Sequence, residues 1–125
     1  MNEQRLLDRF LRYVEIDTTA REDAQDYPSS PGQLQLGAML VDELHQMGID
    51  DAHRDEHGIV LGTVPAATEP SDAPTIAFCA HLDTSPETSG ENVRGQVIRN
   101  YPGGDIRLPA DPSRVITVAD NPALE

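Results

Sequence analysis

The chain has 125 residues, about the length of one domain, which excludes several independently folded domains within it. Its 22 acidic and 9 basic residues give a formal net charge of −13, and a field of that sign repels phosphate backbones and anionic lipids, so nucleic acid and membranes are excluded as partners. No lysine is present and there is one cysteine, which excludes a lysine Schiff base, an internal disulfide and a CxxC zinc site.

Two amphipathic helices are predicted in the first half of the chain. Near the N-terminus, apolar residues recur every three or four positions among charges, the period of a helix with one buried side: Leu6, Leu7, Phe10, Leu11 and Val14. After a polar loop over residues 17–31, Ser30 suits the N-cap and Pro31 the first position of a second helix, which Gly48 ends. The buried stripe predicted for this helix is Leu36, Leu40, Leu44 and Met47.

Strands are predicted from residue 49 onward, where the apolar period shortens toward two. Residues 51–55 and 59–64 are predicted to pair as a hairpin around the turn 56–58, and a polar connection over residues 65–74 follows. Residues 75–80 (Thr-Ile-Ala-Phe-Cys-Ala) are a short apolar run, which predicts a strand buried on both faces of a helix-flanked sheet. Short strands are predicted at residues 97–98 and 115–118, with no further helix.

Some residues that are capable of chemistry are predicted to be structural. His45, His53 and His57 lie opposite the apolar stripe of a helix or beside a turn, which predicts solvated side chains. Cys79 lies inside the apolar run, where a thiol usually behaves as a small buried hydrophobe. The predicted role of Cys79 is therefore packing rather than metal binding.

The glycine pair at Gly103 and Gly104 is predicted to adopt backbone angles that other residues disfavour. A phosphate cradle is the less favoured interpretation, because no helix start follows the pair. Asp105, the next residue, either caps a turn or lines a substrate cleft, and neither its spacing nor the composition separates these alternatives.

The most informative residues are His81 and Asp83, where the apolar run ends in a polar loop. In an extended segment, residues two apart point the same way, so the imidazole and the carboxylate can meet. A carboxylate bound to one ring nitrogen fixes the tautomer and leaves the other nitrogen for a metal. The spacing therefore indicates a metal ligand with its orienting carboxylate, although a surface pair at a strand end has the same pattern.

Four runs of residues carry a more specific signal than this spacing. They are residues 16–19 (Ile-Asp-Thr-Thr), 30–33 (Ser-Pro-Gly-Gln), 80–86 (Ala-His-Leu-Asp-Thr-Ser-Pro) and 100–106 (Asn-Tyr-Pro-Gly-Gly-Asp-Ile). In these runs the chain resembles the zinc aminopeptidases of the M20 metallopeptidase clan that act on tripeptides. The resemblance implies that His81 is a zinc ligand and that Asp83 is the catalytic acidic residue that orients it.

The fold implied by the resemblance is α/β, a catalytic domain with a mixed sheet flanked by helices that binds two zinc ions. Residues 1–125 are expected to be the N-terminal portion of that domain, without the rest of it and without the lid domain. The other metal ligands and the general base are expected beyond Glu125, because Glu125 itself lacks the Glu-Glu context of the family's base.

The activity implied is release of the N-terminal residue from tripeptides by metal-activated water, in the cytoplasm, with the isolated 125 residues inactive. Two alternatives remain open: another M20-type hydrolase, such as a dipeptidase, carboxypeptidase or deacetylase, and a non-catalytic truncated fragment. A cytoplasmic location also agrees with the single cysteine and with the charges that interrupt residues 1–13, which exclude a signal peptide there.

Overall fold

The computed structural model describes residues 2–67 and 74–124. The chain divides into two compact units, Met1–Gly95 and Gln96–Glu125. The first unit contains the helices α1 (Glu3–Val14) and α2 (Pro31–Gln46) and the strands β1 (His53–Arg54) and β2 (Val60–Leu61); the second contains β3 (Ile106–Leu108), β4 (Asp111–Ile116) and a 3-10 helix (Pro122–Leu124). No helix in the described part of the chain combines the length and the apolar character needed to cross a membrane.

The first predicted helix is present as α1 and begins with a side-chain cap. Asn2 accepts a hydrogen bond from the backbone N–H of Arg5 at 3.0 Å, which satisfies one of the free amides of the first turn. The predicted apolar stripe is only partly covered, because Leu6 and Phe10 are 56% and 58% exposed. The helix period was therefore predicted correctly, whereas the extent of burial was not.

The second predicted helix is present as α2, with Pro31 in its first turn. Ser30 occupies the N-cap, but its hydroxyl makes no capping bond, and Ser30 Oγ is buried without a hydrogen-bond partner among the described residues. Gly48, at φ +84°, ends the helix as predicted: its N–H donates to the carbonyl of His45 and the N–H of Ile49 to the carbonyl of Leu44. These two bonds are those of a Schellman motif.

The buried side of α2 differs from the predicted stripe. Leu36 is buried, but Met47 is exposed and lies beside the guanidinium of Arg9, 3.4 Å from Sδ to Nη2. A polar residue, Glu43, is buried instead. The prediction of Met47 as a core residue is wrong because the apolar period of α2 does not reveal which polar partners α1 presents to it.

Glu43 is held by three side chains of α1. Its carboxylate accepts from Arg9 Nε at 2.9 Å, from the guanidinium of Arg12 and from the hydroxyl of Tyr13 at 2.6 Å. Burial of the phenol is the larger cause, and its hydrogen bond to Glu43 the second, of a rise in the pKa of Tyr13 to about 12. The two helices are therefore joined by an ion-pair and hydrogen-bond cluster, which offsets the desolvation of the carboxylate.

The predicted hairpin is present, with shorter strands. β1 and β2 pair antiparallel, with His53 opposite Leu61 and Arg54 opposite Val60. Asp55 organises the turn, because its Oδ1 accepts from the backbone N–H groups of His57 and Ile59 at 2.9 and 2.8 Å. The hairpin is also tied to α2, where Arg54 Nη1 donates to a helix carbonyl at 2.6 Å.

The predicted strand at residues 75–80 is absent. These residues are exposed, with Ile76 and Phe78 73% and 96% accessible, and Cys79 is exposed rather than buried. A strand forms only when a neighbour takes up its backbone N–H and C=O groups, and none of the described residues pairs with this run. The predictions of a strand there and of a buried Cys79 are therefore wrong for this structure.

The mixed sheet of the predicted fold is likewise replaced by two separate antiparallel pairs, β1 with β2 and β3 with β4. The α/β composition remains, with two helices and two small sheets among the described residues. Of the predicted polar connection, residues 68–73 lie outside the described residues, as does Glu125, whereas residues 65–67 are exposed and irregular.

The second unit is a hairpin. β3 and β4 pair with Ile106 opposite Ile116, and the register shifts after Arg107. Strand prediction at residues 115–118 was correct up to Ile116, whereas residues 97–98 form no strand because no described segment pairs with them. β3 was missed because its alternation, Ile-Arg-Leu, is only three residues long and is followed at once by Pro109, too short a run to indicate a strand.

The glycine pair and Asp105 both serve this hairpin. Gly103 and Gly104 have φ of +87° and +96°, which confirms the predicted unusual angles. Asp105 Oδ1 accepts from the backbone N–H of Val118 at 3.0 Å, at the start of the turn after β4, which agrees with the turn-capping alternative.

Candidate functional site

The side chains of His81 and Asp83 are in contact, as their spacing predicted. His81 Nδ1 lies 3.0 Å from Asp83 Oδ1 and 2.8 Å from the backbone oxygen of Asp83. Both oxygens are acceptors, so the neutral ring carries its proton on Nδ1 and leaves Nε2 as the nitrogen with a lone pair. The imidazole is 82% exposed and the carboxylate 44% exposed, so the pair is open to a ligand from solvent.

A parallel bridge holds this pair against the loop that precedes α2. The backbone N–H of Thr84 donates to the carbonyl of Thr18 at 3.2 Å, and the N–H of Ala20 donates to the carbonyl of Thr84 at 2.9 Å. The segment that carries His81 and Asp83 is thus anchored at the residue directly after them, although residues 75–80 before it are not paired.

The loop on the other side of this bridge is ordered by Asp17. Its Oδ1 accepts from the backbone N–H of Thr19 at 3.0 Å and from Thr19 Oγ1 at 2.6 Å, and these bonds hold the pKa of the Asp17 carboxyl below its usual range. Thr19 Oγ1 in turn accepts from the backbone N–H of Gly90 at 3.1 Å. Asp17 therefore links the 16–19 run to the polar chain beyond residue 86.

The start of α2 supports the same loop. Gln33 Nε2 donates to the carbonyl of the buried Thr18 at 3.4 Å and to Ser29 Oγ at 3.1 Å. Gly32 lies so close to Asp17 that a Cβ at this position would be 1.7 Å from the Asp17 carbonyl oxygen. Three of the four sequence runs thus form one framework, in which α2 supports the 16–19 loop and that loop pairs with Thr84.

We expect Gly32→Ala to lower the free energy of unfolding by about 1–3 kcal/mol, because the methyl group meets backbone that cannot rotate away. Gly37→Ala in the same helix is the matched control: its Cβ would lie 3.2 Å from Arg54 Cδ and 3.3 Å from Val60 Cγ2, contacts that a shift of a few tenths of an ångström relieves. Urea unfolding followed by circular dichroism measures both. Equal stability of the two variants would contradict the close packing at Gly32.

A cleft of about 230 Å³ opens beside His81. Three segments line it: the loop residues Tyr27 and Pro28, the hairpin residues 57–60, and residues 80–83. Gln33 contributes a polar group from α2. The cleft therefore combines apolar groups from three segments with the polar pair His81 and Asp83.

A complete metal site is not formed by the residues that the structure describes, since no three His, Cys, Asp or Glu side chains among them are grouped to hold an ion. The three other histidines are exposed, as predicted. His45 and His53 bind backbone oxygens at 2.8 and 2.9 Å, and His57 contacts the ring of Tyr27. Among the four histidines, His81 alone has a described carboxylate oxygen within hydrogen-bond distance, at 3.0 Å, since His57 Nε2 lies 3.7 Å from Glu56 Oε1. This fits His81 for the role of an oriented ligand.

The sequence predicted His81 and Asp83 but not the residues that hold them. Asp17, Thr19, Gly32 and Gln33 act through backbone contacts between distant segments, and their signal was membership in the 16–19 and 30–33 runs. The buried cluster around Glu43 gave no signal in the apolar pattern, because its members are polar residues on two helices.

Comparison with known proteins gives one consistent result. No protein-family model matches the chain. Among curated proteins, it is 41% identical over 121 residues to peptidase T of Halothermothrix orenii and 44% identical over 121 residues to that of Geobacillus thermodenitrificans, in each case 97% of this chain and 29% of the relative. It is 49% identical over 105 residues to peptidase T of Bacillus subtilis, 84% of this chain and 25% of the relative.

The chain thus spans between a quarter and a third of the length of the relatives it matches. Within that span the alignment covers nearly every residue, including both compact units in the longer matches. The resemblance seen in the four sequence runs is confirmed by this identity: the chain is homologous to peptidase T.

Proposed function

We propose that the chain contributes to a zinc-dependent aminopeptidase that releases the N-terminal residue from tripeptides. His81 is the proposed ligand to one of two zinc ions, and Asp83 is the proposed carboxylate that orients it. The observation that carries the proposal is the contact of His81 Nδ1 with Asp83 at 3.0 Å, in a chain homologous to peptidase T.

The part played by this chain's residues follows from that contact. Asp83 fixes the ring and its Nδ1–H tautomer, so Nε2 is the nitrogen that would bind the metal. The framework of Asp17, Gly32 and Thr84 keeps the pair at the edge of the cleft, where a peptide can reach it. Zinc, when bound, polarises a carbonyl and lowers the pKa of a bound water.

We propose further that residues 1–125 are the N-terminal portion of the catalytic domain and need groups from outside this chain. The support is a ligand count: a catalytic zinc usually takes three protein ligands and a water, whereas His81 has no such companions among the described residues. We propose that the general base also comes from outside this chain, as the family resemblance implies. The proposed cytoplasmic location is supported by Cys79, an exposed cysteine without a disulfide, since a reducing compartment keeps thiols reduced.

The experiment compares the 125-residue chain with a chimera. In the chimera, this chain replaces the segment of Halothermothrix orenii peptidase T with which it aligns. We expect the chimera with zinc to hydrolyse tripeptides and the chain alone to show no turnover. Activity of the chain alone would show that the site is complete within it, and an inactive chimera with native circular dichroism would reject the aminopeptidase proposal.

A substrate panel separates the reaction classes within the same experiment. The chimera is assayed against tripeptides, dipeptides and N-acyl amino acids. Preference for tripeptides supports the proposal, whereas faster cleavage of dipeptides or of acyl amides assigns the chain to another M20-type hydrolase.

A further inference from the structure

The cleft beside His81 has a second feature besides its polar end. Tyr27 and His57 both line it and are largely exposed, and their rings are in edge-to-face contact, with centroids 6.0 Å apart and an interplanar angle of 71°. Resting on the aminopeptidase function proposed above, we infer that this cleft is a specificity subsite that takes one apolar residue of the peptide, with Tyr27 and His57 as its outer wall.

The size of the cleft limits what it can hold. Pockets for drug-sized ligands have volumes of roughly 300–1,000 Å³. The cleft, at about 230 Å³, is smaller, which suits one bulky residue better than a tripeptide with several side chains. In the proposed binding mode the rest of the peptide lies outside it, along the exposed face of His81 and Asp83.

The lining determines the kind of residue. Apolar groups come from all three segments: Pro28 from the loop, Ile59 and Val60 from the hairpin, and Leu82 beside His81. An apolar side chain that enters is removed from water and gains free energy in proportion to the area covered, whereas a charged one is desolvated without a partner on that wall. The subsite therefore favours residues such as leucine over glycine or aspartate.

Contacts within the chain hold the backbone that carries His57 in place without a ligand. Asp55 holds the backbone of His57 and Ile59, and Gly58, at φ +85°, brings the turn onto Pro28, where a Cβ would lie 3.3 Å from Pro28 Cγ. The side chains of Tyr27 and His57 are nevertheless 71% and 60% exposed. A rigid backbone that presents two exposed rings covers a ligand with little ordering cost.

The test titrates the 125-residue chain with Leu-Gly-Gly and Gly-Gly-Gly, followed by backbone amide shifts in NMR spectra. We expect Leu-Gly-Gly to shift residues 57–60 and 80–83 and to bind about tenfold more tightly than Gly-Gly-Gly, because a buried leucine side chain discriminates by at least that factor. His57→Ala should reduce this preference to about threefold or less. His53→Ala, the same exchange at an exposed histidine of β1 outside the cleft, should retain it.

Three results would overturn the subsite: equal affinity for the two peptides, shifts confined to other residues, or equal loss in His57→Ala and His53→Ala. Tyr27→Ala provides a second wall variant, and circular dichroism checks the fold of each protein. The chimera described above separates the two proposals, because it carries the zinc ligands that this chain lacks. A leucine preference of the chain together with a folded chimera that binds no zinc rejects the zinc function and keeps the subsite, whereas a zinc-loaded, active chimera without a leucine preference in the chain rejects only the subsite.

Discussion

His81→Ala is expected to abolish tripeptide hydrolysis by the chimera and to lower its zinc content, because the exchange removes a metal ligand outright. The loss should exceed the roughly 10- to 100-fold expected when a residue that only orients a ligand is removed. Asp83→Ala is such a case, since its carboxylate contacts His81 Nδ1. We expect that variant to retain more metal than His81→Ala and to lose about 10- to 100-fold in rate.

The measurements are kcat/KM for a tripeptide and the bound zinc per chain after dialysis. His53→Ala is the matched control, because His53 is an exposed histidine outside the cleft whose ring binds a backbone oxygen at 2.9 Å. It should leave both quantities unchanged. Wild-type zinc content and turnover in His81→Ala would reject the assignment of His81, and a larger loss in Asp83→Ala than in His81→Ala would reverse the two roles.

Glu43→Ala is expected to lower the free energy of unfolding of the chain by about 3 kcal/mol, because two arginines and a tyrosine of α1 lose a shared buried partner. This loss of stability is at the low end of the range expected when one partner of a buried ion pair is removed. The reason is that Arg9 and Arg12 are 25% and 52% exposed, so water can solvate part of their charge in the variant. The measurement is urea unfolding followed by circular dichroism.

Glu56→Ala is the control for this exchange. The side chain of Glu56 is 87% exposed and its only described ion pair is with His57 at 3.7 Å, so its removal should change stability by less than about 0.5 kcal/mol. Similar stability losses in both variants would contradict the buried role of Glu43.

The ionisation of Tyr13 gives a second readout of the same cluster. Its pKa, about 12, lies above the ordinary value of 10.0, so its contribution to stability is fully present below pH 10 and is lost as the pH rises through 12. In Glu43→Ala the hydrogen bond and the negative charge that raise this pKa are both absent. We therefore expect the pKa of Tyr13 to fall, as followed by tyrosinate absorbance, and an unchanged value would show that burial alone raises it.

Features that depend on neighbouring residues could be predicted from the sequence. Apolar periods located α1 and α2, Pro31 and Gly48 marked the ends of α2, and residues 56–58 located the hairpin turn. The contact of His81 with Asp83 belongs to the same class, because a single residue lies between them and side chains two positions apart share one face of an extended segment. In each of these interactions, both partners lie within one short segment of the sequence.

The tertiary structure decided what depends on distant segments. It buried Glu43 rather than Met47, because only the packing of α1 on α2 brings Arg9 and Tyr13 to the carboxylate. It left residues 75–80 exposed, because an apolar run becomes a strand only where another backbone completes its hydrogen bonds. It also assembled the cleft from three separate segments. Local spacing determines which side chains can meet, whereas burial and pairing require a partner that the spacing does not specify.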